Sequence, residues 1–366
     1  MMDLSTNMSV SNTACVSLEE ALEKAFGRAS EIVERKRLYG GDINDAYMLR
    51  LSGGQRVFMK TNSVRNYGFF AAEEQGLNAL RSAGVIGVPE LLGTGTDRRQ
   101  GFSFLLLEYM ESAPQVSDYW EIFGRQLARL HRADCGGLVP APSTAVSACS
   151  AEAAPREESL SANDVSGMTG TSGMTEASGM TVAAGITVAA GNTDTDEGAE
   201  WKYGFVADNY IGAAIQINTP KKSWVEFFRE CRLLPQLRMA DRYLDAGLRR
   251  KADRLLAHLD RYLREPEFPS LVHGDLWGGN VLCGSDGRAW LIDPAAYVGD
   301  FETDLAMTEL FGRFPPAFYR AYQEENPVDG EYQERKPIYQ LYHLLNHLNL
   351  FGRSYLGSVE AILGAM

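Results

Sequence analysis

Two carboxylates and one amide with a defined spacing lie in the last third of the sequence. Asn280 follows Asp275 by five residues, and Asp293 follows Asn280 by thirteen. A carboxylate can orient and deprotonate a hydroxyl, while an amide oxygen and a second carboxylate can hold Mg²⁺ against phosphates. These side chains therefore indicate phosphoryl transfer from ATP to a hydroxyl, with Asp275 as the base and Asn280 and Asp293 as the metal ligands.

The segment 273–280 matches the protein-kinase pattern H-R-D-x-x-x-x-N, with Gly274 in place of the arginine. Asp293 then stands where protein kinases have the aspartate of D-F-G. The arginine usually couples this loop to a phosphorylated activation segment, so its absence favours a small-molecule kinase. A plain β-turn is the alternative, because Gly and Asp favour turns by themselves. The second carboxylate at the matching distance favours the kinase interpretation.

Lys60 and a glutamate on the following helix are the expected partners of this loop. Lys60 ends the apolar stretch 57–59, where an inward-facing lysine needs an opposite charge and suits a residue that reaches the α- and β-phosphates. Glu73 lies on the apolar stripe of the predicted helix 69–83, so we predict that it pairs with Lys60. For Lys60, Glu73 and Glu74 alike, the alternative is a solvated position on the surface. On the helix, this alternative suits Glu74 better than Glu73.

Two further segments lie where a kinase binds the nucleotide. The sequence Gly40-Gly41-Asp42-Ile43 falls about twenty residues before Lys60, and adjacent glycines let main-chain amides approach a polyphosphate without a Cβ in the way. A simple turn between strands is the alternative. Glu108 and Met110 end the last strand of the predicted N-lobe, where the adenine of ATP would meet main-chain groups. Their assignment depends on position alone.

The composition excludes several other classes of protein. The chain has 366 residues, of which 45% are hydrophobic and 23% charged, as is typical of a globular protein with two lobes or two domains. A formal net charge of −13 argues against nucleic acid as a partner. The apolar runs are too short to cross a bilayer, and the polar N-terminus lacks the features of a signal peptide. Five scattered cysteines without a C-x-x-C pair indicate reduced thiols, so we expect a cytoplasmic protein without a membrane partner. The oligomeric state is left open.

The pattern of apolar residues predicts an α+β fold with a strand-rich N-lobe and a mainly helical C-lobe. We expect a disordered N-terminus over 1–17, a nucleotide-binding N-lobe over 18–110, and a catalytic and substrate-binding C-lobe over 111–366. Within the C-lobe, residues from about 138 to 200 contain no aromatic side chain and repeat Ser-Gly-Met-Thr three times. A β-helix is the alternative for such a repeat. Because the repeat has almost nothing apolar to bury, we predict a disordered insertion.

His343 and His347 are four residues apart in a predicted helix, which is the spacing used by zinc peptidases. Leu344 stands in place of the glutamate that activates water in those enzymes, and the sequence suggests no third ligand. The neighbouring leucines favour helix packing over metal binding.

Several separated motifs make the chain similar to the fructosamine/ketosamine-3-kinases, from about residue 18 to residue 352 apart from the insertion. The motifs that carry this resemblance are 40–44, 72–80, 127–131, 203–205, 208–212, 216 with 218, 224–237, 273–280 and 297–307. Aminoglycoside and choline kinases share the catalytic core but differ in the segment 203–237.

The resemblance implies a two-lobed protein-kinase-like fold and transfer of the ATP γ-phosphate to the 3-hydroxyl of a ketosamine. Such substrates are Amadori adducts of amines, namely ribulosamines, erythrulosamines or fructosamines. A phosphate at C3, next to the C2 carbonyl, is a good leaving group and its elimination frees the amine, so the reaction would repair glycated amines. The resemblance also assigns residues: the substrate is contacted by Trp277, Asp208, Asn209 and Gln216, and the catalytic loop is braced by His273 and Asp304. A packing role is the alternative for Trp277.

One departure from the family pattern affects the substrate prediction. The family usually has Thr-Pro before Gln216 and Pro after it, whereas residues 214–217 here are Ala-Ile-Gln-Ile. Loss of these prolines relaxes the loop, so another small amino-sugar, an aminoglycoside or a choline-like substrate is an alternative. A catalytically silent nucleotide-binding scaffold is the alternative from another class, although the intact catalytic positions argue against it. The sequence leaves open whether the ketosamine is free or protein-bound.

Overall fold

The computed structural model describes residues 15–38, 43–111, 113–140 and 201–366. Gly40, Gly41 and Asp42 lie outside these ranges, and so do nearly all residues of the two segments for which we predict disorder. The described part of the chain begins with a strand-rich lobe and continues with a mainly helical one.

The N-terminal lobe is built on a five-stranded antiparallel sheet in the order β1-β2-β3-β5-β4. Its elements in chain order are α1 (Leu18–Phe26), β1 (Ile32–Leu38), β2 (Asp45–Leu51), β3 (Arg56–Ser63), α2 (Tyr67–Ser82), β4 (Leu91–Asp97) and β5 (Phe102–Glu108). The helix predicted over 69–83 is confirmed as α2.

Both faces of this sheet are covered, because side chains of a strand alternate between its faces. In β5, Phe104 and Leu106 pack in one apolar cluster with α1, while Leu105 and Leu107 pack in the main core with α2. The near-continuous apolar sequence of β5 follows from this burial on both sides. The sheet thus holds α2 against the face from which Lys60 projects.

The C-terminal lobe contains helices and short two-stranded sheets. Its elements in chain order are α3 (Tyr119–His131), β6 (Asn209–Ile211), β7 (Ala214–Gln216), α4 (Trp224–Phe227), a π-helical segment (Phe228–Leu233), α5 (Leu234–Ala240), α6 (Ala246–Ala257), β8 (Ser270–Val272), β9 (Val281–Cys283), β10 (Ala289–Leu291), β11 (Tyr297–Gly299), α7 (Glu302–Thr308), α8 (Pro316–Glu325), α9 (Tyr332–Phe351) and α10 (Leu356–Ala365). The strand-rich first lobe and the helical second lobe confirm the predicted α+β fold class. The helices of the described ranges are all too short or too polar to cross a bilayer.

Candidate active site

Lys60 lies at the centre of a charged cluster formed by three separate elements. Its Nζ is 2.7 Å from Oε1 of Glu73 in α2 and 2.5 Å from Oδ1 of Asp293, which follows β10. Burial by itself would lower the pKa of Lys60, but the charges of Asp293 and Glu73 outweigh burial and raise it. Lys60 is therefore a fixed cation at the interface of the two lobes, and its predicted pairing with Glu73 is confirmed.

Glu74 does not lie on a solvated face, so that expectation was wrong. Its side chain is buried, and its Oε2 accepts a hydrogen bond from Oγ1 of Thr94 in β4 at 2.7 Å. The spacing of α2 suggested one apolar stripe, whereas the helix also packs on β4 through a second side. The two adjacent glutamates thus have different partners: Glu73 bonds to Lys60, and Glu74 bonds to the sheet.

The catalytic loop, residues 273–280, is held by a single buried carboxylate. Asp304 of α7 accepts hydrogen bonds from the main-chain N–H groups of His273 at 2.7 Å and Gly274 at 2.9 Å, and its Oδ2 is 3.2 Å from Nε2 of His131. Gly274 has a φ of +81°, and a Cβ there would lie 2.1 Å from the carbonyl oxygen of Ala295. The conformation of the loop therefore requires glycine at the position where protein kinases have arginine.

His273 ties the catalytic loop to the end of β10. Its Nε2 is 2.9 Å from the carbonyl oxygen of Ile292, and the main-chain N–H of Asp275 donates to Nδ1 at 3.3 Å. These partners assign the proton to Nε2, and burial lowers the pKa of the ring, so His273 is neutral. His273 and Asp304 both bond to the loop, as the resemblance implies.

Asp275 has the environment of a general base. The Nδ2 of Asn280 donates to Oδ2 of Asp275 at 3.1 Å and to its main-chain oxygen at 2.9 Å. Burial raises the pKa of Asp275 to about 7; the hydrogen bond from Asn280 opposes this rise, and the charges of Asp293 and Asp304 add to it. A carboxyl with a pKa near neutrality exchanges protons readily at physiological pH.

Asn280 and Asp293 fit the expected metal site by the chemistry of their oxygens. The amide nitrogen of Asn280 points to Asp275, which turns its Oδ1 the other way, and the carboxylate of Asp293 is 44% exposed. Asp293 adopts a φ of +54°, which is unusual for a non-glycine residue and directs its side chain to Lys60. Mg²⁺ prefers such oxygen ligands and usually takes several further oxygens from phosphates and water.

The expected nucleotide-binding positions are only partly described. Ile43 is exposed, and its carbonyl oxygen accepts a hydrogen bond from Asn62 at 3.4 Å, whereas Gly40, Gly41 and Asp42 lie outside the described residues. Glu108 ends β5 with its main-chain N–H bonded to the oxygen of Glu90 at 2.9 Å. Met110 follows β5 and is half-buried. The adenine assignment stays a prediction.

The four residues expected to contact substrate lie in different environments. Trp277 is 40% exposed and packs over its own loop, since a Cβ at Gly279 would lie 2.3 Å from the indole. Asp208 is exposed, and its carboxylate accepts the main-chain N–H of Asn218 at 2.7 Å. Asn209 and Gln216 are buried. The exposed pair is available to a ligand, whereas the buried pair bonds within the protein.

Asn209 and Gln216 form part of a buried network that positions the chain after Asp293. We call β6 and β7 together, residues 209–216, the acceptor hairpin. The Nδ2 of Asn209 donates to the oxygen of Ala296 at 2.8 Å, and the Nε2 of Gln216 donates to that of Ala295 at 2.9 Å. Tyr342 of α9 donates to Oε1 of Gln216 at 2.7 Å. Both amides therefore act on the segment 295–296 in this structure.

Arg232 is a structurally important residue that the sequence interpretation missed. It is buried in the π-helical segment, and its Nη2 donates to Oδ1 of Asn218 at 2.8 Å. Its guanidinium carbon lies 3.9 Å from the ring centroid of Tyr297, a cation–π contact. Among the described residues it forms no ion pair with a carboxylate. An arginine within an apolar helical stretch was the available signal, because buried arginine requires hydrogen-bond partners.

His343 and His347 pack inside the C-terminal lobe, which confirms the packing interpretation. Burial lowers the pKa of His343 to about 3. The Nδ1 of His347 is 2.8 Å from the carbonyl oxygen of His343, and its ring lies 4.4 Å from that of Phe311. Within the described ranges, no group of three or more His, Cys, Asp or Glu side chains could hold a metal ion.

Known proteins share both the sequence and the fold. A model of the fructosamine kinase family matches residues 15–137 and 182–366, and the interval between them contains the three Ser-Gly-Met-Thr copies. The "Probable ketoamine kinase" of Synechocystis sp. is 33% identical over 352 residues, which cover 95% of each chain. The chloroplastic "Protein-ribulosamine 3-kinase" of Oryza sativa subsp. indica is 29% identical, and the match covers 92% of this chain and 80% of the relative.

The structural comparison agrees with the sequence comparison. A crystal structure from Haemophilus somnus 129PT, provisionally named a fructosamine-3-kinase, superposes with a TM-score of 0.70 at 27% identity, covering 95% of this chain and 96% of that one. The family model covers far more than half of the chain. The chain described above therefore belongs to the fructosamine kinase family.

Proposed function

We propose that the protein transfers the γ-phosphate of ATP to the 3-hydroxyl of ketosamines. The observation that carries this proposal is the pair Asp275 and Asn280 beside the cluster of Lys60, Glu73 and Asp293. The pair and the cluster are connected, because the main-chain N–H of Ile292, the residue before Asp293, donates to the main-chain oxygen of Asn280 at 3.1 Å. Phosphoryl transfer needs this combination of a base, a cation for the phosphates and oxygens for a metal.

Each residue then has a distinct task. Asp275 orients the sugar hydroxyl and accepts its proton, while Lys60, kept in position by Glu73, binds phosphate oxygens. Asn280 and Asp293 would hold Mg²⁺, which supplies charge neutralisation at the phosphates when it is bound. Asp293 bonds to Lys60 in the present structure and has an exposed carboxylate, so it can serve both groups.

The acceptor assignment is supported by the names of two relatives, "Probable ketoamine kinase" and "Protein-ribulosamine 3-kinase". Trp277 of the catalytic loop exposes part of its flat apolar indole ring, and sugars commonly pack on such rings. A ketosamine phosphorylated at C3 carries its phosphate on the carbon next to the C2 carbonyl. Enolisation between C1 and C2 makes that phosphate allylic, so it leaves as inorganic phosphate and the amine remains as an imine at C1. Hydrolysis of the imine releases the amine, so the phosphorylation is the first step of a repair of glycated amines.

The test is a panel of acceptors with purified protein and Mg-ATP. We expect turnover of ribulosyl-, erythrulosyl- or fructosyl-lysine, followed by slow release of free lysine and inorganic phosphate. Kanamycin and choline serve as matched acceptors for the related kinases. Turnover of kanamycin or choline without any ketosamine turnover would refute the proposed acceptor, and absence of turnover with every acceptor would favour a silent scaffold.

A further inference from the structure

An aromatic stack joins the acceptor hairpin to the helix that carries Glu73. The ring centroids of Tyr210 and Phe69 are 3.9 Å apart, and the ring planes meet at 19°. Phe69 precedes Glu73 by four residues in α2, so the two side chains lie one turn apart on the same face of the helix. Tyr210 of β6 therefore supports the turn immediately before the partner of Lys60.

In the part of the chain that the structure describes, the N-terminus of α2 lacks a side-chain cap. Within the described ranges, Asn66 at the N-cap makes no side-chain capping bond to the helix, and its Nδ2 donates instead to Oδ1 of Asn62 at 2.9 Å. A capping residue normally stabilises a helix start by about 1 kcal/mol. The ring of Tyr210 supplies a restraint at this end of the helix from the other lobe.

The hairpin that carries Tyr210 is itself fixed to the segment after Asp293. A two-stranded hairpin with three residues per strand is not stable alone. Gln216 holds it to Ala295 at 2.9 Å, and Asn209 holds it to Ala296 at 2.8 Å. The position of Tyr210 is thereby linked to the chain two residues beyond the candidate metal ligand.

These contacts form a closed cycle that runs through both lobes. Tyr210 stacks on α2, Glu73 of α2 bonds to Lys60, Lys60 bonds to Asp293, and the chain after Asp293 bonds back to the hairpin. Two members of this cycle also touch directly: α2 packs on the chain after Asp293, because a Cβ at Gly76 would lie 3.1 Å from the side chain of Pro294. A restraint applied at one member of a closed cycle of contacts reduces the motion of the other members.

We infer that Tyr210 is a positioning residue that couples binding of the acceptor to binding of the Mg-nucleotide. An acceptor held by the exposed Asp208, which directly precedes the hairpin, restrains Tyr210. The stack on Phe69 passes this restraint to α2, which keeps Glu73 on Lys60. Each ligand then increases the affinity for the other, and the effect is reciprocal. The acceptor half of this inference rests on the proposed function, whereas the nucleotide half does not.

The test measures the affinity for Mg-AMP-PNP by calorimetry, with and without saturating ribulosyl-lysine. In the Tyr210→Ala variant we expect affinity for the nucleotide alone to fall about two- to tenfold, the range that an aromatic pair supports. We also expect the acceptor to lose its effect on nucleotide binding, so that the ratio of the affinities with and without ribulosyl-lysine falls to about one. Tyr210→Phe keeps the aromatic ring and should retain most of the coupling that Tyr210→Ala loses. Phe69→Ala should match Tyr210→Ala, and the double variant should add little, because both remove one contact.

A matched control comes from another stacked pair. Phe268 and Phe301 also meet at 19°, with centroids 5.9 Å apart, but both lie in the C-terminal lobe. Phe268→Ala should leave nucleotide affinity and coupling unchanged. If Tyr210→Ala unfolds at a much lower temperature, Phe69→Leu takes its place, since it keeps apolar bulk on α2.

The outcomes separate the two proposals. Wild-type nucleotide affinity and coupling in a folded Tyr210→Ala protein would overturn the coupling role. If the wild type binds no ketosamine, the proposed acceptor fails while the nucleotide measurement still decides the role of Tyr210. A loss of nucleotide affinity equal to that of Phe268→Ala would also overturn it, because a general loss of packing would then explain the effect.

Discussion

The catalytic loop and the acceptor hairpin use the same kinds of polar side chain in opposite ways. In the catalytic loop, Asn280 bonds to one carboxylate oxygen of Asp275 five residues away, and the carboxylate of Asp293 is 44% exposed. In the hairpin, Gln216 bonds to Ala295 and Tyr342, which are 79 and 126 residues away. The catalytic loop thus keeps carboxylate oxygens for a ligand or a proton, whereas the hairpin uses its amides to position the chain.

This comparison predicts that changes in the catalytic loop affect turnover and that changes behind the hairpin affect stability. The largest effect on turnover is expected for Asp275→Asn. The amide cannot accept the hydroxyl proton, so kcat should fall at least ~100-fold. The free energy of unfolding should not fall, because a neutral amide replaces a buried carboxylate whose ionisation is unfavourable. Steady-state kinetics with ribulosyl-lysine measure the first quantity. Asp253→Asn on exposed α6 is the control, and wild-type turnover of Asp275→Asn would remove the role of base.

Arg232→Met should show the reverse pattern. The variant leaves Asn218 and the oxygen of Ile217 without their buried donor, which should lower the free energy of unfolding by about 3 kcal/mol. Denaturant unfolding measures this loss. Arg249→Met removes an exposed pair with Asp241 and should cost less than about 1 kcal/mol. Equal losses in the two variants would contradict the distinction between the two regions.

The pH dependence of turnover should identify Asp275 as the titrating group. Its pKa is raised from the ordinary range to about 7, so the active carboxylate predominates only above that value. We expect kcat/KM to fall about tenfold per pH unit below 7 and to level off above it. Because the folded state binds this proton more tightly than the unfolded state, ionisation of Asp275 lowers stability as pH rises from about 4 to 7. Asp275→Asn should abolish that contribution, and a flat profile of kcat/KM down to pH 5 would contradict the assignment.

The smallest effect is expected at Trp277, which belongs to the catalytic loop, is 40% exposed and packs over Gly279. Trp277→Ala should raise KM for the ketosamine about two- to tenfold, the scale of one aromatic contact, with little change in unfolding. Met239→Ala removes another exposed apolar side chain and serves as the control. A loss of stability without a change in KM would assign Trp277 to packing instead.

The parts of the fold and site that could be predicted depend on short-range patterns. The helix α2 follows from its apolar spacing, and the preference for Glu73 over Glu74 follows from the same spacing. The burial of Glu74 could not be predicted, because Thr94 reaches it from a strand twenty residues later. Similarly, Asn209 and Gln216 were identified as functional from a motif, but a motif does not reveal whether an amide faces a ligand or a main-chain carbonyl.

The sequence by itself determined the kind of chemistry. The spacing of Asp275, Asn280 and Asp293 restricts which side chains can meet around a phosphate, since the loop and the following hairpin are short. Only the tertiary structure decided how the two lobes are connected. The bond of Lys60 to Asp293 spans 233 residues, and the stack of Tyr210 on Phe69 joins segments that no local pattern relates. Such contacts form because buried charges and aromatic rings need partners, and packing of the whole chain selects which partners are within reach.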